Sequence, residues 1–212
     1  MLKINEIFFS IQGESTNNGL PCVFVRLTYC NLRCSYCDTE YAFYDGNEFS
    51  IEAIIEKVKM FGCSLVEITG GEPLFQDESF LLMKKLCDEG FNVMLETGGS
   101  LSIKEVDSRV KIIMDLKCPS SGMSKKNYYG NIRFLKPIDE VKFVIGSRED
   151  YEWAKNIVSQ YGLNSKCEVL FSPVFGKLEP VKIVEWILND KLNVRFQLQI
   201  QKFIWDPQRK GV

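Results

Sequence analysis

The stretch SIEAIIEKVKMFGCSLVEITGGEP, Ser50 to Pro73, decides the fold. Ile51, Ile54, Ile55, Val58 and Phe61 recur at helical spacing, Ser50 stands where a helix cap belongs, and Gly62 marks a stop. Leu65 to Thr69 then reads as a short buried strand that runs into two glycines. Working outward, the same unit recurs. Ser79 to Glu89 carries Phe80, Leu81, Met83 and Leu86 ahead of Gly90, and Phe91 to Glu96 follows as a strand. Strands are predicted over Val110 to Leu116, Glu140 to Ile145, Cys167 to Phe171 and Val194 to Ile200, with helices over Arg148 to Tyr161, where Ser147 and Asp150 form a capping box, and over Pro180 to Leu188. Upstream, Ile4 to Ile11 and Cys22 to Thr28 are β-prone and separated by the turn residues Asn17, Asn18, Gly19 and Pro21. Strands alternating with helices form a parallel sheet wrapped by helices. The chain is too short for the full eight-unit barrel of about 250 residues. The expected fold is α/β, an incomplete, TIM-like barrel of about six parallel strands left open, in one domain over residues 1–212. The polar stretch Pro119 to Gly130 is a loop long enough to carry function.

Composition narrows the chemistry. The 26 Lys and Arg against 28 Asp and Glu leave a formal charge of -2, which offers no basic footprint for nucleic acid. No His is present, so serine-histidine and cysteine-histidine mechanisms and imidazole-zinc sites are excluded. No apolar run reaches the roughly 18 residues needed to span a bilayer. Eight cysteines are unevenly spread, three of them within eight residues, unlike the paired staples of a secreted disulfide framework. A cytoplasmic protein with reduced thiols is expected.

Those three are Cys30, Cys34 and Cys37, a C-x3-C-x2-C just beyond the predicted strand ending at Thr28. Thiolates are soft ligands for iron-sulfur clusters or zinc, and a four-iron cluster held by three of them leaves one iron open. A structural zinc site completed by Cys22 or Cys118, or three unrelated thiols, are the alternatives. The second motif is Thr69-Gly70-Gly71-Glu72-Pro73 at the carboxyl edge of a strand, where parallel sheets bind ligands. Its glycines let a ligand lie against the backbone and Glu72 can accept from an ammonium, which suits an amino acid; a plain strand-to-helix turn has the same appearance. Cys22, Cys63, Cys87 and Cys167 lie on apolar faces and are expected as small core residues.

The two motifs together resemble the radical S-adenosylmethionine superfamily. The resemblance implies a 4Fe-4S cluster at Cys30, Cys34 and Cys37, and S-adenosylmethionine met by Gly71 and Glu72. Within that superfamily the chain resembles the 7-carboxy-7-deazaguanine synthases of queuosine and 7-deazapurine biosynthesis, lyases that release ammonia. The loop Phe9 to Ser15 resembles their IQGEG-like substrate loop, implying substrate contacts at Ile11, Gln12 and Gly13. Arg26, in Phe24-Val25-Arg26-Leu27, corresponds to their substrate clamp, Thr39 to a Mg²⁺ ligand, and Thr69 to a further substrate contact. Asp115, Leu116 and Lys117 precede a Pro-Ser-Ser-Gly-type segment that implies cofactor contacts, and Ser172, Pro173, Val174 and Phe175 stand where another is placed. Gln201 replaces a usual His. No residue is singled out as an acid, base or nucleophile. The resemblance further implies a small pterin substrate, an external one-electron reductant such as flavodoxin or ferredoxin, and a homodimer. The rivals are a glycyl-radical activating enzyme and a non-catalytic zinc or electron-transfer module.

Overall fold

The computed structural model describes all 212 residues. Nine strands form one sheet: β1 (Leu2–Ile11), β2 (Pro21–Leu27), β3 (Asn47–Phe49), β4 (Leu65–Gly70), β5 (Asn92–Thr97), β6 (Lys111–Asp115), β7 (Glu140–Ile145), β8 (Glu168–Pro173) and β9 (Arg195–Phe196), in the order β3-β1-β2-β4-β5-β6-β7-β8-β9. From β2 to β9 every pairing is parallel, while β1 runs antiparallel to both β2 and β3. Strands β3 and β9 are unjoined edges, so the barrel is incomplete, as expected. Helices α1 (Ile51–Lys59), α2 (Glu78–Asp88), α3 (Arg148–Tyr161) and α4 (Pro180–Asp190) alternate with the parallel strands, and a single turn, α5 (Gln201–Ile204), follows β9.

Strand alternation gives the sheet two unlike faces. Outward, Val23, Val25 and Leu27 of β2, Val66 and Ile68 of β4, Ile112 and Met114 of β6, and Val141, Phe143 and Ile145 of β7 join the main apolar core beneath the helices. Ile51, Ile54, Ile55 and Val58 supply the face of α1, whose Ser50 cap accepts from Ala53 N at 3.1 Å. Inward, a small apolar layer of Cys22, Phe24, Leu65, Met94 and Ile113, with Phe8 stacked on Phe24 at 4.9 Å, gives way to polar residues toward the carboxyl ends of the strands.

A register shift in β1 between Ile4 and Glu6 changes which face the strand's side chains address. Leu2 and Ile4 point into the outer core, and the bulge turns Glu6 to the inner face opposite Arg26. The strand expected over Val194 to Ile200 pairs only at Arg195 and Phe196. Beyond them Gln197 and Gln199 turn their side chains to the β1–β2 loop, accepting from Ser15 N at 2.9 Å and donating to Glu14 at 2.9 Å, and the chain leaves the ladder. The capping box before α3 is half formed. Ser147 caps through Asp150 N at 3.2 Å, but the Asp150 carboxylate accepts from Ser120 N and Gly146 N instead, tying the loop after β6 to α3.

Candidate active site

A cavity of about 670 Å³ opens at the carboxyl ends of the parallel strands, within the size range of small-molecule sites. The loop after β2 presents Cys30, Cys34 and Cys37, all free and half-buried, to its wall. Two glycines bring the loop after β4 against this one. Gly71 N donates to Leu27 O at 3.1 Å and Glu72 N to Tyr29 O at 2.8 Å, and a Cβ on Gly71 would come within 2.1 Å of Tyr29 O. Gly70 has φ +148°, and a Cβ there would meet Leu27 O at 2.2 Å. Only glycine fits either position.

The three thiols suit an iron-sulfur cluster. Three thiolates on one short loop at a cavity wall leave a fourth iron of such a cluster free to meet a ligand in the cavity. Cys22 and Cys118, the alternative fourth ligands, are fully buried in apolar clusters away from the cavity. Burial pushes the Cys34 thiol up to about 11, with Lys117 pulling it back, so loading with iron must release protons. Lys117 lies across the cavity, bonded to Asp115 at 2.8 Å. Burial disfavours its charge, but the Asp115 carboxylate and the Cys34 thiolate together outweigh that and raise it.

The other residues singled out from sequence divide. Ile11, Gly13, Arg26, Thr39, Thr69, Gly71, Asp115, Lys117, Val174 and Phe175 line the cavity. Glu72 does not. Its carboxylate is fully buried and accepts from Thr97 Oγ1 at 2.8 and 2.9 Å, Gly98 N at 2.7 Å and Leu74 N at 3.1 Å, so it shapes the loop rather than waiting for an ammonium. Leu116 points into the outer core between the two cavity residues beside it, as strand alternation requires. Ser172 and Pro173 are buried on β8 and fall short of the cavity, which takes Val174 and Phe175 from the loop beyond. Gln12 borders the cavity, but one amide hydrogen goes to Glu67 and its oxygen accepts from Glu14 N at 3.0 Å.

Arg26 Nε donates to Glu6 at 2.8 Å, and Tyr41 OH donates to the same carboxylate oxygen at 2.8 Å. Thr39 donates to Asp38 Oδ1 at 2.9 Å, and Asp38 Oδ2 accepts from Lys202 at 2.7 Å and Gln199 at 3.3 Å. Segment 199–212 thereby spans the gap between the two sheet edges, with the Lys210 ammonium 4.2 Å from the Tyr41 ring and residues 206–212 bordering the cavity. Gln201 rests on Gly13 with its amide oxygen buried and unpartnered.

Sequence reading missed the floor. Glu67, Glu96 and Lys142 face inward from β4, β5 and β7, and Lys142 bonds Glu14 at 2.8 Å and also Glu96. The signal was present: a lone charge among Val, Ile and Leu in Leu65 to Ile68, Val93 to Glu96 and Val141 to Val144.

A family model described as the radical SAM superfamily matches residues 25–166. A 7-carboxy-7-deazaguanine synthase of Chlorobaculum tepidum is 47% identical over 214 residues, covering 100% of this chain and 97% of that protein. One from Clostridium acetobutylicum is 37% identical, covering 99% of each. Among solved structures, the crystal structure of QueE from Escherichia coli matches with a TM-score of 0.76 at 20% identity over 93% of each chain. Streptococcus suis SuiB bound to S-adenosylmethionine matches at 0.56 and 17% identity, over 81% of this chain and 45% of that one. Both structural matches speak to the fold.

Proposed function

The chain belongs to the radical SAM superfamily and, within it, to the 7-carboxy-7-deazaguanine synthases, and from that premise we propose that it converts 6-carboxy-5,6,7,8-tetrahydropterin to 7-carboxy-7-deazaguanine and ammonia. The observation that carries this reading is a single cavity bordered both by the three cysteines and by Arg26, Thr39, Thr69 and Gly13. When bound, the 4Fe-4S cluster and S-adenosylmethionine supply a 5′-deoxyadenosyl radical able to take a hydrogen atom from substrate C6.

The protein's part is positioning. Cys30, Cys34 and Cys37 would hold the cluster by three thiolates, one short of its four irons. Gly70 and Gly71 let the methionine portion approach the backbone, with Lys117 as the nearby cation. Arg26 spends only Nε on Glu6, so its two terminal nitrogens remain for the substrate carboxylate, held between Phe8 and Tyr41 at 5.8 and 5.9 Å from the ring centres. Thr39 would offer one hydroxyl to a Mg²⁺ ion, a single protein ligand being suited to a cation that keeps most of its water. The same reading carries an external electron donor such as flavodoxin or ferredoxin, a homodimer and a cytoplasmic location.

Anaerobically reconstituted protein, given reductant, S-adenosylmethionine, Mg²⁺ and the carboxypterin, is expected to release deazaguanine and ammonia over many turnovers per S-adenosylmethionine. Cofactor cleavage without deazaguanine would overturn the substrate assignment, and full activity in the absence of any divalent cation would remove Mg²⁺ from it.

A further inference from the structure

Four carboxylates, Glu14, Glu67, Glu96 and Asp115, border the cavity floor, against two lysines. Lys142 is shared by Glu14 and Glu96, with Asp115 4.0 Å away, and Lys117 takes Asp115. Glu67 forms no ion pair, and the Lys142 charge nearby offsets only part of the cost of its burial. Glu67 is 2% exposed, its only hydrogen-bond donor is the Gln12 amide at Oε2, and its other oxygen accepts nothing from the protein. A carboxyl buried without an ion pair is costly, and Leu65, Val66 and Ile68 around it are the residues that packing alone would select. Gln12 spends its own oxygen on Glu14 N, so the two side chains are fixed together. The group is built to meet a ligand.

Its surroundings say which part of a ligand. Glu67 pairs in register with Phe24, and Thr69 with Arg26, so Glu67 lies one layer deeper than the cationic clamp. The stacked rings of Phe8 and Phe24 give that depth a flat wall. Burial, with Glu96 and Glu14 close by, pushes the Glu67 carboxyl well above its ordinary range, so a ligand that offers it N–H donors relieves an unfavourable site. A pterin carries its carboxylate at one end and, at the other, a ring N–H beside an exocyclic amine. Two parallel donors of that kind match the two oxygens of one carboxyl group.

We propose that Glu67 reads the N–H and amino edge of the substrate's pyrimidine ring and thereby selects a 2-amino over a 2-oxo heterocycle. This rests on the pterin reading of the site. Glu67 would then set which way round the ring enters, with its carboxylate toward Arg26 and the reacting carbon toward the cysteines.

The test uses cluster-loaded protein with S-adenosylmethionine and two unreactive probes, 6-carboxypterin and 6-carboxylumazine, which differ in the 2-amino or 2-oxo group. The unaltered protein is expected to bind the pterin roughly ten- to hundredfold more tightly. In Glu67→Gln, whose amide can donate to a 2-oxo group, the preference should collapse or reverse. Glu67→Leu should bind both weakly, and cluster absorbance and S-adenosylmethionine affinity should hold in both variants. Pterin affinity and preference unchanged in both variants would overturn the proposal. If the unaltered protein binds neither probe while still cleaving S-adenosylmethionine, the pterin reading itself fails and takes this one with it.

Discussion

The two faces of the sheet are made from the same strands and obey opposite rules. On the outer face, position after position is Val, Ile, Leu, Met or Phe packed beneath a helix. On the inner face, level with the Phe8 and Phe24 pair and above it, the same strands carry Arg26, Glu67, Glu96, Asp115 and Lys142. One residue along a strand separates a side chain that holds the fold from one that faces the ligand. Stability and chemistry should therefore be separable by substitution.

The largest expected effect is on chemistry alone. Cys34→Ala should abolish product formation and prevent full iron loading, while the metal-free protein melts where the unaltered metal-free protein does; persistent turnover would break the division. On the other face, Phe143→Ala removes a fully buried ring packed on Trp153 and Phe171 and should cost about 3–5 kcal/mol in denaturant unfolding. Activity per folded, iron-loaded molecule should be kept.

A third substitution tests whether the inner face costs stability. Burial first, then the neighbouring Glu96 and Glu14 carboxylates, raise Glu67 well above its ordinary 4.5, so the folded state binds more protons than the unfolded state above that pH. Stability should fall as pH climbs from 4.5 toward the raised value, by at most about 1.4 kcal/mol per pH unit for this group. Glu67→Gln should flatten that slope, visible as a smaller loss of melting temperature as pH climbs above 4.5. The smallest effect belongs to the helix layer, where Ser50→Ala removes the α1 cap and should cost about 1 kcal/mol with no change in turnover.

The same contrast explains what could be read from sequence. The outer face is a repeating pattern, so α1, α3 and the strands from Leu65 to Phe171 were legible from periodicity. That Cys30, Cys34, Cys37, Gly71 and Arg26 border one cavity follows motifs that carry them in order. Glu67, Glu96 and Lys142 belong to no local motif and come together only through strand register. Glu72 misled in the other direction. A carboxylate beside two glycines suggests a ligand contact, yet Thr97 and Gly98 on the neighbouring strand and its loop claim it. The short strand β3 escaped, and β9 was expected too long, over Val194 to Ile200, because edge pairing of two or three residues leaves little trace in a sequence.

The turn between β1 and β2 governs traffic. Residues 12–20 fold up into the barrel from below: Thr16 N donates to Glu140 at 3.0 Å, Lys111 reaches Asn17 at 2.9 Å, and Ile200 N donates to Gly13 O at 3.1 Å. That closes the amino-terminal end of the sheet with backbone and polar side chains. The cavity is thus floored at that end, with residues 206–212 on its border. A ligand that enters past that border therefore meets a closed floor, and its product has to leave toward the carboxyl ends of the strands.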